Sequence, residues 1–361
     1  MVPKVVMIKT AEVILPCPVL DDTVSFFIEK LGFRLEYIFP ADAPREAVIT
    51  GFGIRLRLEQ GRSGPAGSLS LNCDDPETIS DGEMVLTAPN GTQIALIESD
   101  PLLKIPKGNQ SFTVSRLRDD AVWNAGRAGM QYRDLIPDRR GGRFIASHIR
   151  IPDGGPVPDY IHYHKVRFQM IYCYKGWAKV VYEDQGHPFL FNTGDCVLQP
   201  PEMRHRVLEN SSGFEVIEIS CPAEHLTFAD HDLTLPTKTI NKDRVFGSQR
   251  FVHFKAKEAS WSSWRIDGFE YCDLGISRAT EGLAHAQLVR PLLVMQSIAS
   301  SHKVDFHFIF LLSGTMKIKC NDHQSHSLKS GDSIVLPSEI SHSFSKCSKD
   351  LEFLEVVLPV N

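Results

Sequence analysis

The chain repeats itself. The stretch "GMQYRDLIPDRRGGRFIASHIRIP", from Gly129, aligns with "GFEYCDLGISRATEGLAHAQLVRP", from Gly268: Gly, Tyr, Asp-Leu, Arg and the closing Pro recur in register 139 residues apart. Downstream, "QMIYCYKGWAKVVYE" around Gly176 matches "HFIFLLSGTMKIKC" around Gly314 at an offset of 138, and "GDCVLQPPEMRHRV" from Gly194 matches "GDSIVLPSEISHSF" from Gly331 at 137. One-residue drifts of this kind are what loop insertions and deletions leave. A period near 138 residues is too long for a solenoid unit and has the size of a domain. The repeat therefore predicts two similar domains in tandem, and 361 residues leave room for one more before them.

Each copy is made of short runs rich in Val, Ile, Phe and Tyr, punctuated by Gly, Pro, Asp and Asn. "WAKVVYE", "DCVLQP", "FEVIEIS", "MKIKCN", "DSIVLPS" and "LEFLEVVLP" read as strands, which favours a sandwich or barrel. The charge balance, 39 basic against 44 acidic residues, and a pI near 6.3 exclude a nucleic-acid footprint. No run reaches the roughly 18 apolar residues of a membrane span. The N-terminal residues show no charged leader with an apolar core and cleavage site, so a cytoplasmic protein is expected. The eight cysteines stand singly, with no Cys-x-x-Cys pair, and read as reduced, mostly buried thiols.

The decisive stretch is "HYHKVRFQ". On a strand, His162 and His164 share a face. Gln169 follows five residues later and Gly176 seven after that; then come Gly194, Pro200, Glu202 and His205. These spacings resemble the two conserved motifs of the cupin superfamily: His-x-His, three or four residues, Glu, six residues, Gly; then Gly, five residues, Pro-x-Gly, two residues, His. Gln169 stands where that family has Glu, and Glu202 where it has Gly. Both copies resemble cupin barrels, so the chain resembles a bicupin. The implied fold is mainly β, with two tandem cupin barrels behind a smaller module.

The resemblance implies a metal held by His162, His164, Gln169 and His205. Gln169 either ligates through its carbonyl oxygen or orients a neighbour, and in both cases it adds no negative charge. Imidazole suits Zn, Fe, Cu and Ni, and an oxygen donor extends the choice towards Mn and Fe. Fe(II) is the ion expected, with Mn, Zn or Ni as alternatives. The metal-free reading, a polar lumen with satisfied hydrogen bonds, stays open. In the second copy the matching positions are Ser300, His302, His307 and His342, which form either a second metal site of His302, His307 and His342 or a structural barrel. His285, His323 and His326 read as surface or loop residues.

Residues 1–100 differ in pattern. "TAEVILPC" reads as a strand and "LDDTVSFFIEKLG" as an amphipathic helix stopped at Gly32. "FRLEYIFPA", "EAVITGF" and "IRLRLEQ" read as three more strands, and "GEMVLTAPNGTQIALIES" as a hairpin turning at Asn90-Gly91. This βαβββ order resembles a module of the vicinal oxygen chelate, or glyoxalase-like, superfamily. Glu12 and Glu98 fall near its ligand positions, but no His lies in the segment. A structural or dimerising role is expected.

The map is thus a module at 1–100, a linker at 101–128, barrel one with the metal site at 129–225, a linker at 226–260 and barrel two at 261–361. Trp123, Trp261 and Trp264 precede the repeats as packing anchors. Strand alternation turns Arg204 and Arg206 out of the lumen; Ile171 and Cys173 share the face of Gln169, and Tyr160, Tyr163 and Tyr172 are candidate phenol donors. The leading function is an Fe(II) dioxygenase acting on a small oxygen-rich acid or diketone-like substrate. The alternatives are a non-redox isomerase, lyase or decarboxylase, and a small-molecule-binding protein without catalysis. No nucleic-acid or membrane partner is expected; the resemblance also raises homo-oligomerisation.

Overall fold

The computed structural model describes residues 8–80, 82–118, 121–292, 299–321 and 324–360; His323 lies outside them. The chain divides into two units, Met1–Leu102 and Leu103–Asn361.

The first unit holds two small sheets. Val13–Pro16, Ile54–Glu59, Glu46–Gly51 and Arg34–Phe39 lie side by side in that order, the first pair parallel. Between the first strand and Arg34–Phe39 runs the helix Leu20–Ser25, which widens into a π-turn at Phe26–Lys30 and ends at Gly32, φ +75°. Only the start, face and stop of that helix follow from periodicity; the π-turn does not. Ser68–Cys73, Gln93–Glu98 and Val85–Thr87 form the second sheet, again with a parallel first pair. Leu15, Phe27, Phe33, Leu56, Ile94 and Leu96 close a core shared by both sheets.

The second unit contains two barrels, each a pair of sheets. In barrel one a seven-stranded sheet centred on Phe168–Lys175 and Phe214–Cys221 faces a six-stranded sheet containing His162–His164, Trp177–Tyr182 and His205–Asn210. In barrel two a seven-stranded sheet centred on Val304–Ser313 and Glu352–Pro359 faces the three strands His326–Lys329, Thr315–Cys320 and His342–Ser345.

The central strands read as almost unbroken apolar runs because both of their faces are buried. Phe168, Met170 and Tyr172 meet Phe306, Phe308 and Phe310 in one core between the barrels, where Phe144 stacks on Phe306 at 4.4 Å. The alternate residues turn inwards: Ile171 and Cys173 into barrel one, Ile309 and Leu311 into barrel two. That places Tyr172 between the barrels, away from the lumen.

The segments ahead of each barrel reach across. Thr113–Ser115 pairs with Ser333–Val335 of barrel two, and Val252–Phe254 pairs with Cys196–Leu198 of barrel one. Each Gly-Asp turn of the repeat pins the visiting segment. Asp195 accepts from the amides of Asn192 (2.9 Å) and Ala256 (2.8 Å), and Asp332 from those of Lys329 (3.1 Å) and Leu117 (2.8 Å). The motif glycine is sterically required: Gly314 has φ +71°, and a Cβ there would sit 2.6 Å from the backbone of Leu351. Glu202 and Glu339, at the position where the motif has Gly, adopt φ +60° and +61°. The left-handed conformation is thus kept in both copies without the residue that favours it.

Candidate metal centre

The strand His162–His164 is three residues long, and its alternation sends both imidazoles into barrel one, while Tyr163 points out and stacks on Phe228 at 5.2 Å. His162 sits directly opposite His205 in the antiparallel register. The three rings close into a triad, with centroids 4.2 Å (162–205), 5.2 Å (162–164) and 5.3 Å (164–205) apart. One nitrogen from each lies within 4.8 Å of the others, and among the described residues this is the one such group that could hold an ion.

The tautomers are set from behind. His162 Nδ1 hydrogen-bonds the carbonyl of Tyr160 (2.8 Å) and His205 Nδ1 that of Met203 (2.9 Å), so both carry their proton on Nδ1 and present the Nε2 lone pair. His164 Nδ1 bonds Thr227 Oγ1 at 2.9 Å. Burial first, and then neighbouring positive charge, keep all three neutral. His164 is pushed down to about 2, first by desolvation and then by the repulsion a second imidazolium beside it would bring; His162 and His205 are also lowered. Neutral imidazoles with outward-tied Nδ1 atoms fit a divalent ion.

Gln169 lies 2 % exposed in the opposing sheet. Its amide nitrogen donates to Glu218 Oε1 (2.7 Å), and its carbonyl oxygen accepts from Gln199 Nε2 (2.9 Å). Since an ionised Glu218 can only accept, this bond fixes which way the amide points. Gln199 Nε2 also reaches His205 Nε2 (3.0 Å), and Tyr182 donates to Gln199 Oε1 (3.0 Å). The Gln169 oxygen and His205 Nε2 therefore share one donor, which must release them before an ion can bind there.

Triad and glutamine border a cavity of about 250 Å³ whose walls are mostly apolar, including Ile149, Ile171, Val180, Phe191 and Val216. Arg127 stands among them. Its guanidinium pairs with the buried Asp159 (2.5 Å) and donates to His162 Nε2 (2.7 Å), so it must release that nitrogen before an ion can bind there. Arg204 and Arg206 do not border the cavity; Arg204 lies over Tyr163 and pairs with Asp230 at 3.1 Å. Cys173 is buried in the barrel core, and the phenols that reach the cavity belong to Tyr132 and Tyr182. Arg127, Gln199, Glu218 and His225 join the site without having been singled out from sequence. For Arg127 and Glu218 a signal existed, because the repeat carries Arg265 and Glu355 at the same places.

Barrel two assembles the same positions differently. His302, His307 and His342 do converge, with centroids 5.4–5.9 Å apart. Two of their three Nε2 atoms meet protein groups, as in barrel one, but here both partners belong to one charge pair. Arg265 donates to His302 Nε2 (3.1 Å) and pairs in a fork with Glu355 (2.9 and 2.5 Å), which His307 Nε2 also meets at 2.8 Å. Burial alone would raise the Glu355 carboxyl; the hydrogen bonds from His307 and Arg265 overturn that and hold it far below the carboxylate range. A guanidinium occupies this lumen. His342 Nε2 is buried without a partner among the described residues.

In the first unit, Glu12 is bound by Arg57 and by Arg55 at 3.3 Å, and Glu98 is exposed. His285 is exposed, and His326 starts a strand beside Phe112.

The fold is that of a bicupin, two tandem cupin-like barrels, and the first holds a histidine triad. The cupin-domain family matches residues 296–357, in barrel two. A variant of the Bacillus subtilis oxalate decarboxylase is similar over 71 % of this chain and 79 % of its own, at 14 % identity and a TM-score of 0.51. The Lactobacillus farciminis oxalate decarboxylase in complex with formate is similar over 70 % and 88 %, at 15 % identity and 0.51. No curated protein matches the sequence. Among the described residues no helix is long and apolar enough to cross a membrane.

Proposed function

We propose that barrel one is a divalent-metal enzyme site acting on a small acid or diketone-like molecule with an apolar body. The observation that carries this reading is the triad: three neutral imidazoles with Nδ1 tied behind and one ligand nitrogen each within 4.8 Å, at the edge of a cavity. His162, His164 and His205 would hold the ion, with the Gln169 oxygen available as a fourth donor. When bound, the ion supplies Lewis-acid polarisation and a template for substrate oxygens. Arg127 is placed to anchor a carboxylate, with Asp159 holding it at the mouth. The apolar walls receive the substrate body and exclude water. Ion binding is assigned to barrel one alone, since Arg265 and Glu355 already fill the other lumen with a charge pair.

The reaction carried forward is an Fe(II)-dependent dioxygenation, because three neutral imidazole donors, with Gln169 held back as an orienting neighbour, would leave room on a six-coordinate ion for both a chelating substrate and dioxygen. Decarboxylation without oxygen uptake is a second reading. Arg127 and Glu218 favour it by sharing the cavity, and two similar structures are decarboxylases by name. The test is turnover of small dicarboxylic acids, β-diketones and catechol-like acids by iron- or manganese-loaded protein, followed by oxygen uptake and carbon dioxide release. Oxygen uptake abolished by His164→Ala supports the first reading, and anaerobic turnover the second. Ligand-induced stabilisation with no product would overturn both in favour of a binding protein.

A further inference from the structure

We propose that Glu218 is the carboxylate of this site, supplying from the facing strand the negative charge that position 169 lacks. The inference rests on the metal reading of barrel one.

Three imidazoles and a carboxamide would leave a dication uncompensated in a buried lumen, which is costly. Glu218 is one hydrogen bond away. It borders the same cavity, and both of its hydrogen bonds, from Gln169 Nε2 (2.7 Å) and Ser220 Oγ (3.1 Å), fall on Oε1. It is not grouped with the triad nitrogens, so it acts through Gln169 as a positioning and charge-compensating residue.

The second barrel supplies an internal comparison. Ile171 pairs with Glu218 across the sheet of barrel one, and Ile309 pairs with Glu355 across that of barrel two. Gln169 and His307 occupy the position before each isoleucine on the same face, and each bonds the facing glutamate, at 2.7 and 2.8 Å. In both copies the carboxylate thus stands not on the motif strand but on the strand paired with it in the same sheet. In barrel two that carboxylate binds a cation, the guanidinium of Arg265, which also occupies His302 Nε2. The equivalent of Arg265 is Arg127. In barrel one it is turned instead to Asp159 and His162, leaving Glu218 without a guanidinium partner among the described residues. A divalent ion held by the triad would balance the charge of Glu218 through Gln169, as the guanidinium balances that of Glu355 by direct contact in the other copy.

The experiment is a charge swap on the full chain. Affinities for Mn(II) and Zn(II) are measured by competition with a chromophoric chelator for wild type, Glu218→Gln, and the double variant Gln169→Glu/Glu218→Gln. In the double variant the amide–carboxylate bond survives with its direction reversed, which keeps the packing. Loss of about 10–100-fold is expected for Glu218→Gln, the range for groups that orient or charge-balance metal ligands, with recovery to near wild type in the double variant. Thermal melts of the metal-free proteins verify folding, and Glu218→Asp, which keeps the charge, is measured if Glu218→Gln does not fold; a loss in Glu218→Asp as large as that of His205→Ala would overturn the proposal. An unchanged affinity in Glu218→Gln, or a double variant as weak as the single, overturns it too while leaving the metal reading intact, provided His205→Ala abolishes binding. Absence of binding by wild type overturns both.

Discussion

Replacing Arg265 by Met removes the cation that neutralises Glu355 and keeps most of the side-chain volume. Glu355 is 1 % exposed and accepts two bonds from Arg265, one from His307 and one from Gln287. Stripping one partner from a buried pair costs ~3–5 kcal/mol, mainly because a charge is left uncompensated. Here the arginine side chain is 31 % exposed and solvent at the mouth screens part of the field, so the lower end, about 3 kcal/mol, is expected. At roughly 2–4 °C per kcal/mol for a unit of this size, the melting temperature should fall by about 6–12 °C. Adding Glu355→Gln removes the stranded charge and should restore all but about 1 kcal/mol. Thermal and urea melts of the metal-free full chain measure both. A loss below about 1 kcal/mol in Arg265→Met, or no recovery in the double variant, would refute the view that this pair organises the lumen.

Acid should destabilise the metal-free protein early. His162, His164, His205 and His342 have folded pKa values below 6.5, with His164 near 2 and His342 near 3, so the unfolded chain takes up protons first as pH falls. Their contribution is therefore present above pH ~6.5 and is lost below it, by up to about 1.4 kcal/mol per pH unit for each histidine. Urea midpoints flat between pH 7 and 5 would contradict this. At position 202, where a glutamate with an exposed side chain holds φ +60°, Glu202→Gly should raise stability by roughly 0.5–1 kcal/mol, since relief of the left-handed strain exceeds the entropy glycine adds. A drop in the urea midpoint would show that the Glu202 side chain matters in its own right.

The bicupin architecture was legible because its signals are local. Gly-Asp turns, a paired-histidine strand and apolar runs buried on both faces recur in two copies at nearly constant offset. The triad was legible for the same reason: two histidines share a three-residue strand, and the third follows a fixed turn. Arg127, Gln199 and Glu218 were not, because they enter the lumen from three other places and meet only through sheet register. Comparing the repeats position by position would have exposed Arg127 with Arg265 and Glu218 with Glu355. It would not have shown that one arginine turns to an aspartate and the other to a glutamate, since that depends on Asp159, and among the described residues no aspartate is bonded to Arg265. The face of Tyr172 followed by alternation from those of Ile171 and Cys173; what the sequence did not show is that the second barrel packs against it.

The most direct test of the central claim is the metal content per chain, by elemental mass spectrometry, of protein purified without chelator or affinity metal and then offered Fe, Mn, Zn and Ni. The account predicts a single divalent ion per chain, lost in His164→Ala and retained in His302→Ala. Protein that stays metal-free after reconstitution, or an ion that survives His164→Ala, would contradict it and leave "HYHKVRFQ" as the polar lining of a binding cavity.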